Sequence, residues 1–306
     1  MASFTLAHFS DVHLGPLPQG AALTDFSVKR LIGAMSWKFK RRKLHLPEIA
    51  NQLMADIAQA NPDHVAFTGD LVNIAAVAEF EQGLNWLKKF AAPDWLSFTP
   101  GNHDAYVKLP WEKGLEKFEP FMSSDMKQAE AFPFIRLRRN IALIGVNGAI
   151  PQNLLRAGGM VGAKQRESLQ EKLKSLRERG FYRVVMIHHP PAAGLAHHLR
   201  ALTDVFELQK ILEHEGAELV IHGHNHVTSL NWLNSQHGDI PVIGVPSASM
   251  TDGHGHDPAA WNLYRIDRAK GQWQTHLAIH QWNSAAQAFK TATEFELKRK
   301  SDNVAL

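Results

Sequence analysis

The fold of this 306-residue chain is indicated by the stretch LVIHGHNH at residues 219–226. A short apolar run of strand-forming residues leads directly into three histidines and one asparagine. The stretch VVMIHHP at residues 184–190 has the same plan. Because ligands gather beyond the carboxyl ends of strands in an open α/β sheet, both stretches predict a polar site at one sheet edge.

Three more strand-like runs towards the N-terminus end in the same kind of residue. FTLAHFS at residues 4–10 leads into Asp11 and His13, and HVAFT at residues 64–68 leads into Gly69 and Asp70. WLSFTP at residues 95–100 leads into Gly101-Asn102-His103-Asp104. Five clusters that are far apart in the chain can therefore converge at one place.

Between these runs the apolar residues recur at helical spacing, which indicates an α/β fold. We predict helices at residues 47–60, 79–90, 164–179 and 205–215, and a β-rich region after residue 240. The tail at residues 284–306 is predicted to form a helix followed by a frayed end. Residues 15–46 and 105–134 fit the alternation poorly and each follows a motif, so we predict insertions beside the site.

Composition excludes several classes of protein. There are no cysteines, which excludes disulfides, iron–sulfur clusters and thiolate zinc sites. The net charge of +3 is too small to indicate a nucleic-acid binder by itself. No apolar run reaches the ~18–20 residues of a membrane span, and the N-terminus lacks the pattern of a signal peptide. We therefore expect a cytoplasmic protein, with the inner face of the membrane as an alternative location.

Carboxylate, imidazole and amide oxygen ligands suit manganese, iron, zinc or cobalt. A single carboxylate such as Asp70 can bridge two ions, and two ions ~3.5–4 Å apart can clamp the attacking and leaving oxygens of a phosphoryl transfer. Each motif alone occurs often by chance, and a lone histidine is more commonly structural than a ligand. The ordered set of five, each after a strand, is what carries the interpretation.

In that order, Asp-x-His, Gly-Asp, Gly-Asn-His-Asp, His-His-Pro and Gly-His-x-His resemble the signature of the calcineurin-like metallophosphoesterases. The resemblance spans residues 4–246. It implies an α/β fold of four layers, an αββα sandwich with two central mixed β-sheets flanked by helices. We expect one metallophosphoesterase domain over residues 1–283.

The resemblance also implies a role for each motif residue. Asp11, His13 and His226 would hold one metal, Asp70 would bridge, and Asn102, His188 and His224 would complete the second site. His188 is preferred to His189 because the family usually uses the first histidine of His-His-Pro. His103 would contact the phosphate and protonate the leaving oxygen, and Asp104 would orient the His103 ring through a hydrogen bond.

The expected reaction is phosphodiester hydrolysis by in-line attack of a hydroxide that bridges both metals. The motif pattern is most similar to the branch with bacterial class III cyclic-nucleotide phosphodiesterases and glycerophosphodiesterases. The alternatives are a nuclease of the DNA-repair type, a lipid-linked nucleotide diphosphate hydrolase and, less favoured, a protein phosphatase. Outside enzymes, a metal-dependent interaction module remains open.

Two further clusters bear on the substrate. Residues 37–43, WKFKRRK, are either a solvated basic face or a patch for anions, a membrane surface or a nucleic acid, with Trp37 and Phe39 dipping into a lipid interface. Residues 252–257, DGHGHD, indicate a glycine-rich loop that borders the cleft rather than a third metal site.

Overall fold

Two β-sheets form the centre of the protein, in a computed structural model that describes residues 3–21, 27–126, 130–252 and 255–298. In spatial order the first sheet contains β12 (Ala288–Glu296), β11 (Gln272–Asn283), β10 (Ala260–Ala269), β1 (Phe4–Phe9), β2 (His64–Phe67) and β3 (Leu96–Phe98). The second contains β4 (Phe134–Arg138), β5 (Ile141–Val146), β6 (Tyr182–Ile187), β7 (Leu219–His222), β9 (Ile240–Gly244) and β8 (Ser229–Leu233). β1, β2 and β3 are parallel, as are β5, β6, β7 and β9, and the outer pairings are antiparallel.

The helices connect these strands. They are α1 (Val28–Phe39), α2 (Pro47–Ala60), α3 (Val77–Phe90), α4 (Glu119–Met122), α5 (Ala163–Glu178) and α6 (Val205–Glu215). Short 3-10 helices occupy Arg41–Lys43, Trp111–Lys113 and Leu115–Phe118. None of the helices in the described ranges is long and apolar enough to cross a membrane.

Three apolar cores separate four layers of structure. The central core joins the facing sides of the two sheets, for example Leu6 and Tyr264 of the first with Val184 and Ile221 of the second. The outer face of the first sheet packs on α2 and α3, and the outer face of the second packs on α5 and α6. The αββα sandwich with two mixed sheets is therefore confirmed.

α2 illustrates how local sequence sets these helices. Pro47 lies in its first turn, where a missing amide proton costs nothing. Ile49, Leu53 and Ile57 recur every four residues and are all buried. Asn61 ends the helix in the left-handed conformation, with φ +48°, and its amide donates to the last turn. The predicted bounds of this helix are confirmed.

The prediction of a C-terminal helix after residue 283 is wrong. A turn leads instead into β12, which pairs antiparallel with β11. Thr291 and Thr293 are β-branched, and Phe289 lies opposite Trp282 across the strand pair, so cross-strand packing outweighs the helical interpretation. The first sheet therefore extends past the predicted domain boundary, and residues 299–306 of the predicted tail lie outside the described residues.

The two predicted insertions differ from each other. Residues 15–46 contain α1 and the 3-10 helix Arg41–Lys43, which reaches the site described below. In residues 105–134, by contrast, Phe118, Phe121 and Met122 belong to the core beside Phe98 of β3. The first residues of this segment, including Tyr106, lie at the site, whereas the later described residues pack beside β3. Residues 127–129 lie outside the described residues.

A buried hydrogen bond ties the two sheets together, and its removal tests the packing. The hydroxyl of Tyr182, at the start of β6, lies 2.7 Å from Oγ1 of Thr275 in β11. We expect Tyr182→Phe and Thr275→Val each to lower the free energy of unfolding by about 1–2 kcal/mol. The double variant should cost less than the sum, because both changes remove the same bond. Urea unfolding of all four proteins measures this; simple additivity would contradict the contact.

Candidate metal centre

The loops that follow β1, β2, β3, β6 and β7 meet at one edge of the sandwich. They bring all seven predicted metal-ligating residues into one cluster. Six of the side chains are buried and that of His226 is half-buried. The residues are Asp11, His13, Asp70, Asn102, His188, His224 and His226.

The first group of ligand atoms comes from the loops after β1 and β7. Nε2 of His226 lies 3.0 Å from Oδ1 of Asp11 and 3.3 Å from Nε2 of His13. Nε2 of His13 lies 3.8 Å from the same Asp11 oxygen. Two imidazole nitrogens that face each other beside a carboxylate are the arrangement that a divalent cation stabilises.

The second group comes from the loops after β3, β6 and β7. Oδ1 of Asn102 lies 3.1 Å from Nε2 of His188 and 2.9 Å from Nδ1 of His224. The two histidine nitrogens are 3.2 Å apart. One amide oxygen and two imidazole nitrogens therefore point at a common position.

Asp70 lies between the two groups. Its Oδ2 is 3.3 Å from Nε2 of His188 and 3.8 Å from Nε2 of His13. Its Oδ1 accepts a hydrogen bond of 2.6 Å from the amide of His103. One oxygen of this carboxylate is thus within reach of both groups.

Hydrogen bonds on the far side of the rings orient the ligand atoms. Nδ1 of His188 donates to the carbonyl oxygen of Thr68 at 2.7 Å, which orients Nε2 into the cluster. The neighbouring His189 faces away, with Nε2 at 3.2 Å from the carbonyl oxygen of Ala157. The structure therefore places His188, and not His189, among the ligand atoms.

The backbone turns sharply to direct these side chains inwards. Five of the seven residues have left-handed φ angles: Asp11 at +57°, His13 at +45°, Asp70 at +58°, His224 at +69° and His226 at +56°. Such angles are strained for residues with a side chain and concentrate at functional sites. The glycines of the motifs allow the close approach, since a Cβ at Gly223 would lie 1.9 Å from Oγ of Ser10.

Electrostatics couple the carboxylates to the histidines. Burial lowers the pKa of His188, but the Asp70 and Asp11 carboxylates outweigh it and raise that pKa to about 9. Burial raises the pKa of Asp11, yet His226 and His188 hold it below the ordinary value. The protein therefore presents carboxylates in their charged form to any cation that binds here.

The predicted contact between Asp104 and the His103 ring is absent and has to be corrected. Nδ1 of His103 lies 2.5 Å from the carbonyl oxygen of Asn73. The buried Asp104 carboxylate instead accepts from the amides of Gly101 and Asp70 at 2.8 Å, Leu71 at 3.0 Å and Val72 at 3.1 Å. Burial and the nearby Asp70 carboxylate raise the pKa of Asp104 to about 7, and the four backbone amides hold its oxygens out of reach of the ring. Asp104 thus fixes the loops after β2 and β3 to each other.

Two further side chains at the centre were not predicted individually. Nη2 of Arg41 donates to Nδ1 of His13 at 2.8 Å, and its Nη1 lies 3.4 Å from Nδ1 of His103. The ring of His45 lies 4.6 Å from that of His13, and Nδ1 of His45 lies 2.9 Å from Oγ of Ser249. Both residues belong to or follow the basic cluster, which was the only sequence signal for them.

The centre opens into a cavity of about 260 Å³. Arg41 and Arg200 line it together with five of the seven candidate ligand residues, and Tyr106 stacks on the His103 ring at 5.4 Å. Burial and the charge of Arg41 lower the pKa of His103 to about 4. The imidazole of His103 is therefore neutral at pH 7 unless a negative group binds beside it.

The remaining sequence predictions concern Trp37 and residues 252–257. Trp37 is only 5% exposed and its ring stacks on His45, so the prediction that this side chain dips into a lipid interface is wrong. In residues 252–257, Gly253 and His254 lie outside the described residues. Asp257 accepts from the amide of Thr228, and no described member of this stretch lines the metal cavity.

Comparison with known proteins agrees with this architecture. The profile of the calcineurin-like phosphoesterase family matches residues 4–228, and the chain therefore belongs to that family. The protein is a metal-dependent phosphoester hydrolase. Its His/Asp groups are the candidate metal-binding residues.

Particular relatives are distant. A probable cyclic nucleotide phosphodiesterase from a Synechococcus strain is 23% identical over 231 residues, which is 74% of this chain and 81% of the relative. A dimetal phosphatase from Danio rerio superposes with a TM-score of 0.64 at 12% identity, over 96% of this chain and 98% of its own. A purple acid phosphatase from yellow lupin gives a TM-score of 0.57 at 14% identity, over 100% of this chain and 55% of its own.

The position of Asp104 can be tested by an isosteric change. Asp104→Asn replaces an acceptor by an NH₂ group that faces backbone N–H donors, so we expect a loss of about 2–4 kcal/mol in unfolding free energy. Asp94→Asn, at an exposed position, is the matched control and should change stability by less than about 0.5 kcal/mol. Equal stability of the two variants in urea unfolding would refute the role of Asp104 in holding the loops after β2 and β3 together.

Proposed function

We propose that this protein is a two-metal phosphodiesterase. The observation that carries the proposal is the sharing of Oδ2 of Asp70 between two groups of ligand atoms. Asp11, His13 and His226 would hold one ion, and Asn102, His188 and His224 the other, with Asp70 bridging them. The relative named as a probable cyclic nucleotide phosphodiesterase supports this choice within the family.

The residues fit such a pair of ions in number, burial and chemistry. Nitrogen and oxygen donors with no sulfur suit manganese, iron, zinc or cobalt, and do not select one of them. Bound ions would polarise the phosphoryl oxygens and lower the pKa of water, so that hydrolysis proceeds at neutral pH. The far-side hydrogen bond of His188 and the Asp104 tie would hold the ligands in place.

His103 is proposed to donate a proton to the leaving oxygen. Its backbone amide binds Asp70, and its ring lies beside Arg41 and Tyr106 at the wall of the cavity. A phosphate group next to the ring would raise its lowered pKa, because negative charge favours the imidazolium. Substrate binding would thus favour the protonated form of His103, which can donate its proton to the leaving oxygen.

Arg41 is proposed to bind a phosphate oxygen. A histidine that binds a metal through Nε2 carries its proton on Nδ1, which cannot accept the bond that Arg41 now donates to His13. The guanidinium would then be available to an anion, with Arg200 on the same cavity wall.

A second cavity favours a diester over a monoester. A space of about 350 Å³ continues from Asn102 and His103 past Tyr106 and Arg200 to Leu154 and Leu155. A phosphate at the ligand groups would leave this space for the second ester substituent. Apolar side chains such as Leu154 and Leu199 line it together with the cations Lys29, Arg156 and Arg200, which suits a nucleoside or a lipid as that substituent.

The proposal is tested with the metal-reconstituted protein on a panel of substrates. The panel contains bis(p-nitrophenyl) phosphate, cyclic nucleotides, glycerophosphodiesters, nucleotide-linked lipid diphosphates, single-stranded DNA and p-nitrophenyl phosphate. We expect phosphodiester hydrolysis that a chelator abolishes. Preferred cleavage of the monoester, or of DNA alone, would replace the proposed function by a phosphomonoesterase or a nuclease.

The bridging role predicts the behaviour of Asp70→Asn. Loss of the charged bridge should lower bound metal below two ions per chain and reduce diester hydrolysis more than about a hundredfold. Asp94→Asn serves again as the control and should keep both the metal content and the rate of diester hydrolysis. Metal content by mass spectrometry and steady-state rates decide; full activity with two metals in Asp70→Asn would overturn the assignment.

Arg41→Ala separates substrate binding from metal binding. We expect KM for a diester to rise about tenfold or more while metal content stays unchanged, since the charge-assisted bond to phosphate is lost. The neighbouring Arg42 is exposed, so Arg42→Ala is the matched control and should keep the wild-type KM. An Arg41→Ala protein with a wild-type KM would exclude the phosphate contact.

A further inference from the structure

Helix α1 buries a charged side chain and exposes most of its large apolar ones. Its buried side consists of Arg30, Gly33 and Trp37. The Arg30 guanidinium, 2% exposed, donates to the backbone carbonyl oxygens of Ile74 and Ala75. A helix that only packed on the protein would show the opposite pattern.

Its outer side is apolar. The exposed residues with large apolar side chains fall at positions i, i+3, i+4, i+7 and i+11, which form one stripe along the helix. Phe39 is 67% exposed, Val28 63% and Met35 52%. Nothing in the described ranges covers this stripe. It consists of Val28, Leu31, Ile32, Met35 and Phe39.

Exposed positive charge lies at one end of the stripe. Residues 27–47 contain seven lysines and arginines and no aspartate or glutamate. Four of the seven are exposed at the C-terminal end of α1 and just beyond it, namely Lys38, Lys40, Arg42 and Lys43. An apolar helix face beside cations is complementary to a membrane surface that carries anionic lipid headgroups.

A second exposed apolar group lies across the neighbouring cavity. Leu154 is 48% exposed and Leu155 81%, and both line that cavity together with Lys29 of α1. Nζ of Lys29 donates to the carbonyl oxygen of Gln152 at 3.0 Å, which joins α1 to this loop. The loop with the exposed leucines therefore lies beside α1.

We propose that the stripe on α1 docks the protein on an anionic lipid bilayer. The exposed leucines of the 154–155 loop extend the docking face. Gly33 and Ser36 of the same helix line the metal cavity, so docking sets that cavity beside the headgroups. The proposal does not depend on the proposed reaction, because it concerns a surface outside the metal ligands.

Vesicle co-sedimentation tests the docking. The wild-type protein should bind vesicles of phosphatidylcholine mixed with phosphatidylglycerol and not phosphatidylcholine alone, and high salt should release it. The double variant Ile32→Glu/Met35→Glu should bind at least about tenfold more weakly. Phe206→Glu, on the exposed side of α6, is the matched control and should bind like the wild type.

Lys40→Ala/Lys43→Ala is a second variant that leaves the stripe intact. Loss of two surface cations should weaken binding to anionic vesicles by about tenfold or more. Thermal melting by circular dichroism verifies that every variant is folded, so the readout does not require activity. Wild-type protein that ignores anionic vesicles, or an Ile32→Glu/Met35→Glu protein that binds them normally, would overturn the proposal. So would sedimentation equilibrium showing a wild-type dimer that the stripe variant dissociates without any vesicle binding.

Discussion

The buried carboxylate of Asp104 is the interaction on which the arrangement of the site depends. Its two oxygens accept from four backbone amides, three of them in the loop after β2 and one in the loop after β3. Burial and the neighbouring Asp70 carboxylate raise the pKa of Asp104, whereas the amide donors favour its charged form. It holds Asp70 and Asn102 in fixed positions relative to each other without entering the cluster itself. Precision at the ligands therefore derives from a residue that binds only the backbone.

The packing of the two sheets also positions the ligand residues. Each ligand group draws residues from both sheets. In the first group, Asp11 and His13 follow β1 of the first sheet, and His226 follows β7 of the second. The two groups can form only when the sheets pack with the correct alignment, as they do around Leu6, Tyr264 and Val184. The site is therefore complete only where the two sheets are packed against each other. Metal binding would stabilise the whole fold, because ions that prefer the folded state shift the folding equilibrium.

Much of this could be predicted from the sequence, for identifiable reasons. α2 and the strands before the motifs have strong periodicity and clear end signals, so local physics was sufficient. β12 was misjudged because an edge strand depends on cross-strand partners such as Trp282, which lie outside its own sequence. The Asp104 error has a similar origin: adjacency to His103 suggested a contact, whereas backbone geometry decided it. The exposure of α1 could not be foreseen either, since its apolar residues have the spacing of a core-facing helix.

The left-handed backbone at the ligand residues makes the site costly to the stability of the fold. Glycine adopts those φ angles without strain, so Asp11, His13 or His226 replaced by glycine would relax the backbone by about 1 kcal/mol or more at each position. Selection for a more stable chain alone would thus remove the ligands one after another. The five side chains at positive φ therefore place the ligand geometry in this chain at a cost to the stability of the fold.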